Sequence, residues 1–261
     1  EWSVEQITDW ELAEYLPLPA DLRALLAELA PQGKVSDASF AWSGKLPDDA
    51  RFNGRARFDG ISMSAWRAIP GFSNLSGRID ATESKGTLVL AAHGAEIALP
   101  RLFPEPRIGL ATLGGEVSWE RRAPGGLSVR IAGLQFANAD VAGSASGSYA
   151  YTGEGPGTID LGAQLQRANA RALPSYLPRP EVIGAKTRDW LVRAIRGGRS
   201  TDVRLRLRGD LRHFPFTDPQ LGQFQVVAQV RDGGLASAEG WPEIGQIDGE
   251  LRFERARGET L

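Results

Sequence analysis

The residues of this chain with the chemistry for catalysis or ligand binding are two histidines, one serine-bearing glycine loop, a row of arginines and many scattered carboxylates. Spacing decides against most of them. Gly143-Ser144-Ala145-Ser146-Gly147 looks like a hydrolase elbow, but that turn needs serine at its centre and alanine stands there. Gly33-Lys34 has no phosphate-loop approach, and the glycines of 153–157 read as a hairpin turn. His93 and His213 lie far apart and lack the spacing of paired metal ligands. With no cysteine, thiol catalysis, zinc ribbons and disulfide scaffolds are excluded. Arg204, Arg206 and Arg208 form a basic row without the interleaved aromatics of a nucleic-acid stripe, and are expected on the wet face of a strand. His213-Phe214-Pro215-Phe216 is expected to be a local turn packed into the core, with a partner or membrane contact as the alternative. No catalytic, cofactor or metal residue is expected, and the chain reads as a non-enzyme.

The elements that position these residues are mostly strands. Thirty-one glycines, 16 prolines and one methionine among 261 residues suit many short strands joined by turns rather than a helical bundle. Thirty basic and 32 acidic residues are interspersed, so no net field attracts nucleic acid. No apolar run reaches the roughly 20 residues of a membrane span. The chain opens at Glu1 rather than methionine and ends where a strand begins, as expected of a piece of something longer.

Helical spacing occurs twice, at about 9–30 and 171–196, each time after a similar phrase: Tyr15-Leu16-Pro17-Leu18-Pro19 and Tyr176-Leu177-Pro178-Arg179-Pro180. Gly197-Gly198 is expected to stop the second helix, with Arg193 and Arg196 near its C-terminus. Further on, Leu75-Ser76-Gly77-Arg78-Ile79 matches Ile247-Asp248-Gly249-Glu250-Leu251. The period is about 160 to 170 residues and divides the chain into a first repeat unit, 1–170, and a second, 171–261, within one continuous β structure.

Elsewhere apolar and polar residues alternate, as in Val203, Leu205 and Leu207 against Arg204, Arg206 and Arg208. About a dozen such strands have one apolar face, which must be covered by another sheet, by helices or by a ligand. Two helices are too few. A closed sandwich or barrel and a trough with a greasy occupant both remain open.

The ordered succession Phe58-Asp59-Gly60-Ile61, Trp66, Pro70 to Asp80, Leu99-Pro100-Arg101-Leu102-Phe103, Gly143 to Gly147, Asp189-Trp190-Leu191 and Gly209 to Phe216 resembles the YhdP family of AsmA-like bacterial proteins. The resemblance implies a mainly β fold: an elongated, twisted antiparallel sheet curled into a groove, with two short helical segments. It implies a periplasmic segment of an inner-membrane-anchored bridge of Gram-negative bacteria. Such a bridge carries phospholipid towards the outer membrane and reaches both membranes through segments absent from this chain, with no cofactor. On this reading the groove lining is drawn from Phe40, Trp42, Leu88, Val129, Ile131, Leu161, Leu205, Leu207, Phe224, Val226 and Phe253. The alternatives are a closed structural β spacer and a carbohydrate-active β enzyme with dispersed carboxylates.

Overall fold

The computed structural model describes residues 2–7, 28–43, 51–66, 70–122, 125–216, 218–236 and 242–254. Twelve strands form a single antiparallel sheet in strict chain order, which runs from one edge to the other without closing into a barrel. They are β1 Trp2–Ile7, β2 Gln32–Ser43, β3 Arg51–Met63, β4 Gly71–Thr82, β5 Lys85–Ala98, β6 Arg107–Arg122, β7 Gly126–Ala137, β8 Val141–Tyr151, β9 Thr158–Asn169, β10 Ile195–Asp210, β11 Gly222–Leu235 and β12 Ile244–Glu254. Most are about twice the usual strand length of five or six residues. Consecutive strands pair because the loops between most of them are short, leaving antiparallel return as the nearest solution.

Long strands in one layer must bend to bury anything, and seven of them do so at one residue each. Asp37, Gly60, Asn74, Gly94, Gly133, Asp232 and Gln246, on β2, β3, β4, β5, β7, β11 and β12, all have φ between 50° and 66°. A left-handed residue in a strand breaks the alternation and kinks the chain. Three of these residues are side by side. The Asn74 amide donates to the carbonyls of His93 at 2.9 Å and Gly94 at 3.2 Å, and a Cβ on Gly60 would lie 3.5 Å from Asn74 Oδ1. In β5 the buried apolar side chains are those of Leu90 and Ala92 before Gly94 and Ala95 after it, so both limbs of the strand turn their apolar side chains to the same side. The result is a crease. Leu75, Leu90, Ala92, Ala95, Leu110 and Leu113 are buried along it, with Phe58 and Leu88 packed from one limb and Ile97 and Ile108 from the other.

The geometry recurs about 170 residues along the chain. Ile61 pairs with Leu75 beside a register shift, and Gly233 pairs with Ile247 beside another. The Gly60 N–H donates to Ser76 Oγ at 3.1 Å, as the Asp232 N–H does to Asp248 Oδ1 at 2.9 Å.

The expected first helix, 9–30, lies outside the described residues except for its end at 28–29, where left-handed Ala30 (φ 43°) follows. The second helical segment, expected at about 171–196, is made of several short pieces. A 3₁₀ turn at Ala170–Ala172 leads into α1 Leu173–Tyr176, α2 Pro180–Ile183 and α3 Ala185–Ala194. Pro178 and Pro180 lack the N–H a helix needs and force the residues before them, Leu177 and Arg179, into extended conformation. The end is also earlier than expected. Ile195 pairs with Leu235 and opens β10, so Arg196 and Gly197-Gly198 belong to the sheet rather than to a helix terminus.

Close strand approach depends on Gly77, where a Cβ would sit 2.1 Å from the carbonyl oxygen of Val89. Gly77→Ala is expected to lower stability by about 1–3 kcal/mol through overpacking. Gly109→Ala, with nothing within 4 Å of its Cβ position, should stay within about 0.5 kcal/mol of wild type. Urea midpoints of the two variants check this.

Candidate binding groove

Residues paired across antiparallel strands share a face, so the registers sort every side chain to one side of the sheet. One transverse row runs Ala56, Ile79, Leu88, Val117, Ile131, Gly147, Leu161, Leu207, Phe224 from β3 to β11 without a polar member. A second runs Leu134, Ala145, Ala163, Leu205, Val226, Phe253. A third holds Phe40, Gly54, Ala81, Gly86, Trp119, Val129, Tyr149 and Ile159. Ten of the eleven residues singled out in the sequence therefore fall on three rows of one face. Trp42 sits opposite Phe52, two residues beyond Phe40, and its side chain is outside the described residues.

Leu88, Val129, Ile131, Leu161, Leu205, Leu207, Phe224, Val226 and Phe253 are all half-buried, and Phe40 is 42% exposed. Neighbours in the sheet cover their flanks, and apart from Phe224, which Phe214 meets edge-on, no second layer of described residues covers their tips. The rows also contain apolar residues that alternation alone did not single out as lining: Ile79, Val117 and Trp119, together with Phe58 and Leu113 near the crease. Val117 and Trp119 were legible as strand residues; the crease that gathers Phe58 and Leu113 has no local signal beyond a glycine or asparagine.

Glycines set the depth of this face. Phe40 lies over its cross-strand partner Gly54, Phe58 over Gly77 and Trp119 over Gly86, with ring atoms 3.1, 2.9 and 2.2 Å from where a Cβ would stand. A ring over glycine lies down on the sheet instead of standing up from it. At the far end the loop between β10 and β11 folds onto the same face. Phe216 is 1% exposed and packs over Gly209 and Gly222, while Phe214 makes edge contacts with Phe216 and Phe224, and Phe224 with Phe253. The 213–216 cluster is thus a turn packed inward, as its sequence suggested.

The opposite face is mostly polar. Arg55, Asp80, Thr87, Ser118, Arg130, Ser148, Asp160, Arg208 and Gln223 form its matching row. Arg206 and Arg208 reach Asp160 at 2.6 and 3.7 Å and Arg204 reaches Asp202 at 2.9 Å, so the basic row is largely neutralised on the wet side. A cavity of about 1210 Å³ lies against this face between Arg55, Arg57, Arg78 and Arg130 on the one hand and Asp37, Asp80, Glu116 and Glu120 on the other. Its charged walls suit water rather than an apolar occupant, so the open apolar face is the stronger candidate site. Ser144 and Ser146 lie mid-strand in β8, not on an elbow, and among the described residues no group of histidines and carboxylates is placed to hold a metal ion.

The helical crossover from β9 to β10 closes one rim. It is pinned to the loop between β5 and β6, where the Arg179 N–H donates to the Leu102 carbonyl at 2.8 Å and Arg179 Nε to that of Pro100 at 2.9 Å. It is pinned again between β7 and β8: the Asn138 amide donates to Tyr176 Oη at 2.9 Å, and that hydroxyl donates to Asp140 at 3.3 Å. Burial, with the Asp140 charge adding to it, raises the Tyr176 pKa and keeps the phenol a donor. On the other rim, hydrogen bonds from the Arg212 guanidinium and then from its backbone N–H hold the Asp210 carboxyl down at about 2. The interaction favours the charged form, so it is fully present above the ordinary carboxylate range and is lost as pH falls through about 2. In Arg212→Ala the Asp210 midpoint, followed by carbon NMR, is expected to rise most of the way to 3.8, with the backbone N–H retaining the remainder.

Residues 3–257 match the YhdP protein family. Among characterised relatives, the intermembrane phospholipid transporter YhdP of Escherichia coli (strain K12) is 25% identical over 243 residues. The alignment takes in 91% of this chain and 19% of that relative, so the chain spans about a fifth of the relative's length. No solved structure matches the chain. A match over nearly the whole sequence, on a single open antiparallel sheet, makes this chain a member of the YhdP family.

Proposed function

We propose that this chain is a segment of a periplasmic bridge that shields phospholipid acyl chains on the apolar face of its sheet while they pass between the inner and outer membranes. The observation that carries the reading is the row from Ala56 to Phe224, apolar across nine strands and, as far as Leu207, without a second layer of described residues over it. A bare apolar surface of more than a few hundred Å² is a binding surface in most soluble proteins. Twelve strands at about 4.8 Å spacing give a trough roughly 50 Å long, several times the width of one acyl chain, so lipids can lie in file.

The energetics require no catalysis. Each methylene moved from water onto the face gains about 0.8 kcal/mol, and a lipid sliding along the rows exchanges one apolar contact for another at nearly constant free energy. Flat rings over Gly54, Gly77 and Gly86 keep the path low between β2 and β6. Headgroups remain wet at the rims. The relative's description as a phospholipid transporter supports the same reading, with a non-enzymatic role. Among the described residues no helix is long and apolar enough to cross a membrane. The paired geometries at Gly60 and Asp232 support growth by repetition, with 1–170 as one helix-plus-sheet unit and 171–261 as the start of the next.

Leu205 is the most direct probe, since it is half-buried in the row between Ala163 and Val226. Chain purified from bacterial membranes in mild detergent is expected to carry near-stoichiometric phospholipid by native mass spectrometry and lipid extraction. Leu205→Asp should remove that lipid with the circular dichroism spectrum intact. Reproducibly lipid-free wild type, or unfolding of Leu205→Asp, would instead identify the face as the core of a closed spacer.

A further inference from the structure

One stretch of this chain carries a local excess of positive charge. From Arg167 to Arg199 there are eight lysines and arginines against two acidic residues, Glu181 and Asp189, in a chain of net charge −2. This stretch is the rim crossover with the strand ends on either side of it. Among the described residues, Arg196 alone of the eight reaches a carboxylate, that of Glu243 at 3.1 Å. Arg167 and Arg179 donate to backbone carbonyls, and Arg193 Nε donates to the Asp189 carbonyl at 3.3 Å, which satisfies a donor without cancelling a charge. The Nε of Arg188 is shut off from solvent and has no hydrogen-bond partner among the described residues.

The outer face of α3 adds a second property. Lys186, Trp190 and Arg193 follow one another at helical spacing on one side of the helix, and all three are exposed, Trp190 to 47%. An indole left half in water between two cations matches the layered chemistry of a bilayer surface, where rings sit at headgroup level and cations meet phosphates. The helix is held from behind by Ala194, 1% exposed, and the crossover by the Arg179 and Tyr176 contacts. The surface is therefore preorganised, and little conformational entropy is lost when something docks on it.

We propose that the exposed face of α3, with the unpaired cations around it, is a docking surface for the anionic phosphate headgroups of a phospholipid bilayer. Charge complementarity selects the partner: an acidic lipid layer is attracted to a rim that concentrates cations, while the polar face of the sheet carries both signs. The interaction is separate from loading of the groove, because the surface lies at the strand ends and involves none of the apolar rows.

The test is cosedimentation of the whole chain with vesicles of phosphatidylglycerol and, separately, of phosphatidylcholine, at low and high salt. Binding to phosphatidylglycerol should be roughly tenfold or more tighter and should weaken as salt screens the contact. K186E/R193E should abolish it with the circular dichroism spectrum unchanged, and W190A should weaken it. Leu205→Asp should leave it intact, so a failure of the groove reading would not be mistaken for a failure of this one. Equal binding to both lipids, undiminished binding by K186E/R193E, loss only in Leu205→Asp, or complete competition by inorganic phosphate would each overturn the proposal.

Discussion

Cross-strand register is the interaction on which the rest of this molecule depends. Along three transverse rows the backbone ladders align apolar residues with apolar neighbours, and a slip of one residue at any of the eleven junctions between described strands would turn the remaining strands inside out. Because Leu88 faces Val117, Val117 faces Ile131 and Leu161 faces Leu207, a property of single strands becomes a continuous surface. The ladder also provides the stability a second layer would otherwise supply. Every described internal strand is paired along both of its edges.

The left-handed residues modify that ladder without breaking it. Gly60, Asn74 and Gly94 lie abreast, so three neighbouring strands bend along one line and their registers are recovered beyond it. The crease is where the fold obtains its small buried core. Asparagine at the middle position is informative: it tolerates positive φ, and its amide also ties the carbonyl groups of β5 that the kink displaces. Burial at the crease and exposure along the rows are two results of the same bend, since side chains on its inner side crowd together while those along the limbs stay apart.

Electrostatics divides the protein by position more than by sign. On the wet face, opposite charges are partners, as in Arg206 with Asp160 and Arg231 with Asp248 at 3.0 Å, and such exposed pairs contribute little to stability. Their effect is on solubility and register. At the crossover rim the cations have few such partners, and rigid backbone contacts hold them in place. One polar surface balances its charge and another accumulates it, within a sheet of uniform construction.

Alternation was enough to identify the strands and, once the pairing is known, the face to which Leu205, Leu207, Phe224 and Val226 belong, because a period of two depends only on local backbone geometry. The matching phrases around Leu75 and Ile247 were likewise legible, since a repeated turn needs repeated residues. Other features were not. Nothing local distinguishes an open sheet from a closed sandwich, for both need the same alternation; the linear order from β1 to β12 in one sheet, with no second sheet among the described residues, decides it. The break of the 171–196 helix at Ile195 was set by pairing with Leu235, 40 residues away, which outweighs helix propensity at a terminus. Phe214 over Phe224, Trp119 over Gly86 and the alignment of Gly60, Asn74 and Gly94 were also beyond the sequence alone, because each depends on which strand lies beside which, and that is fixed by the summed pairing of the whole sheet rather than by any one segment.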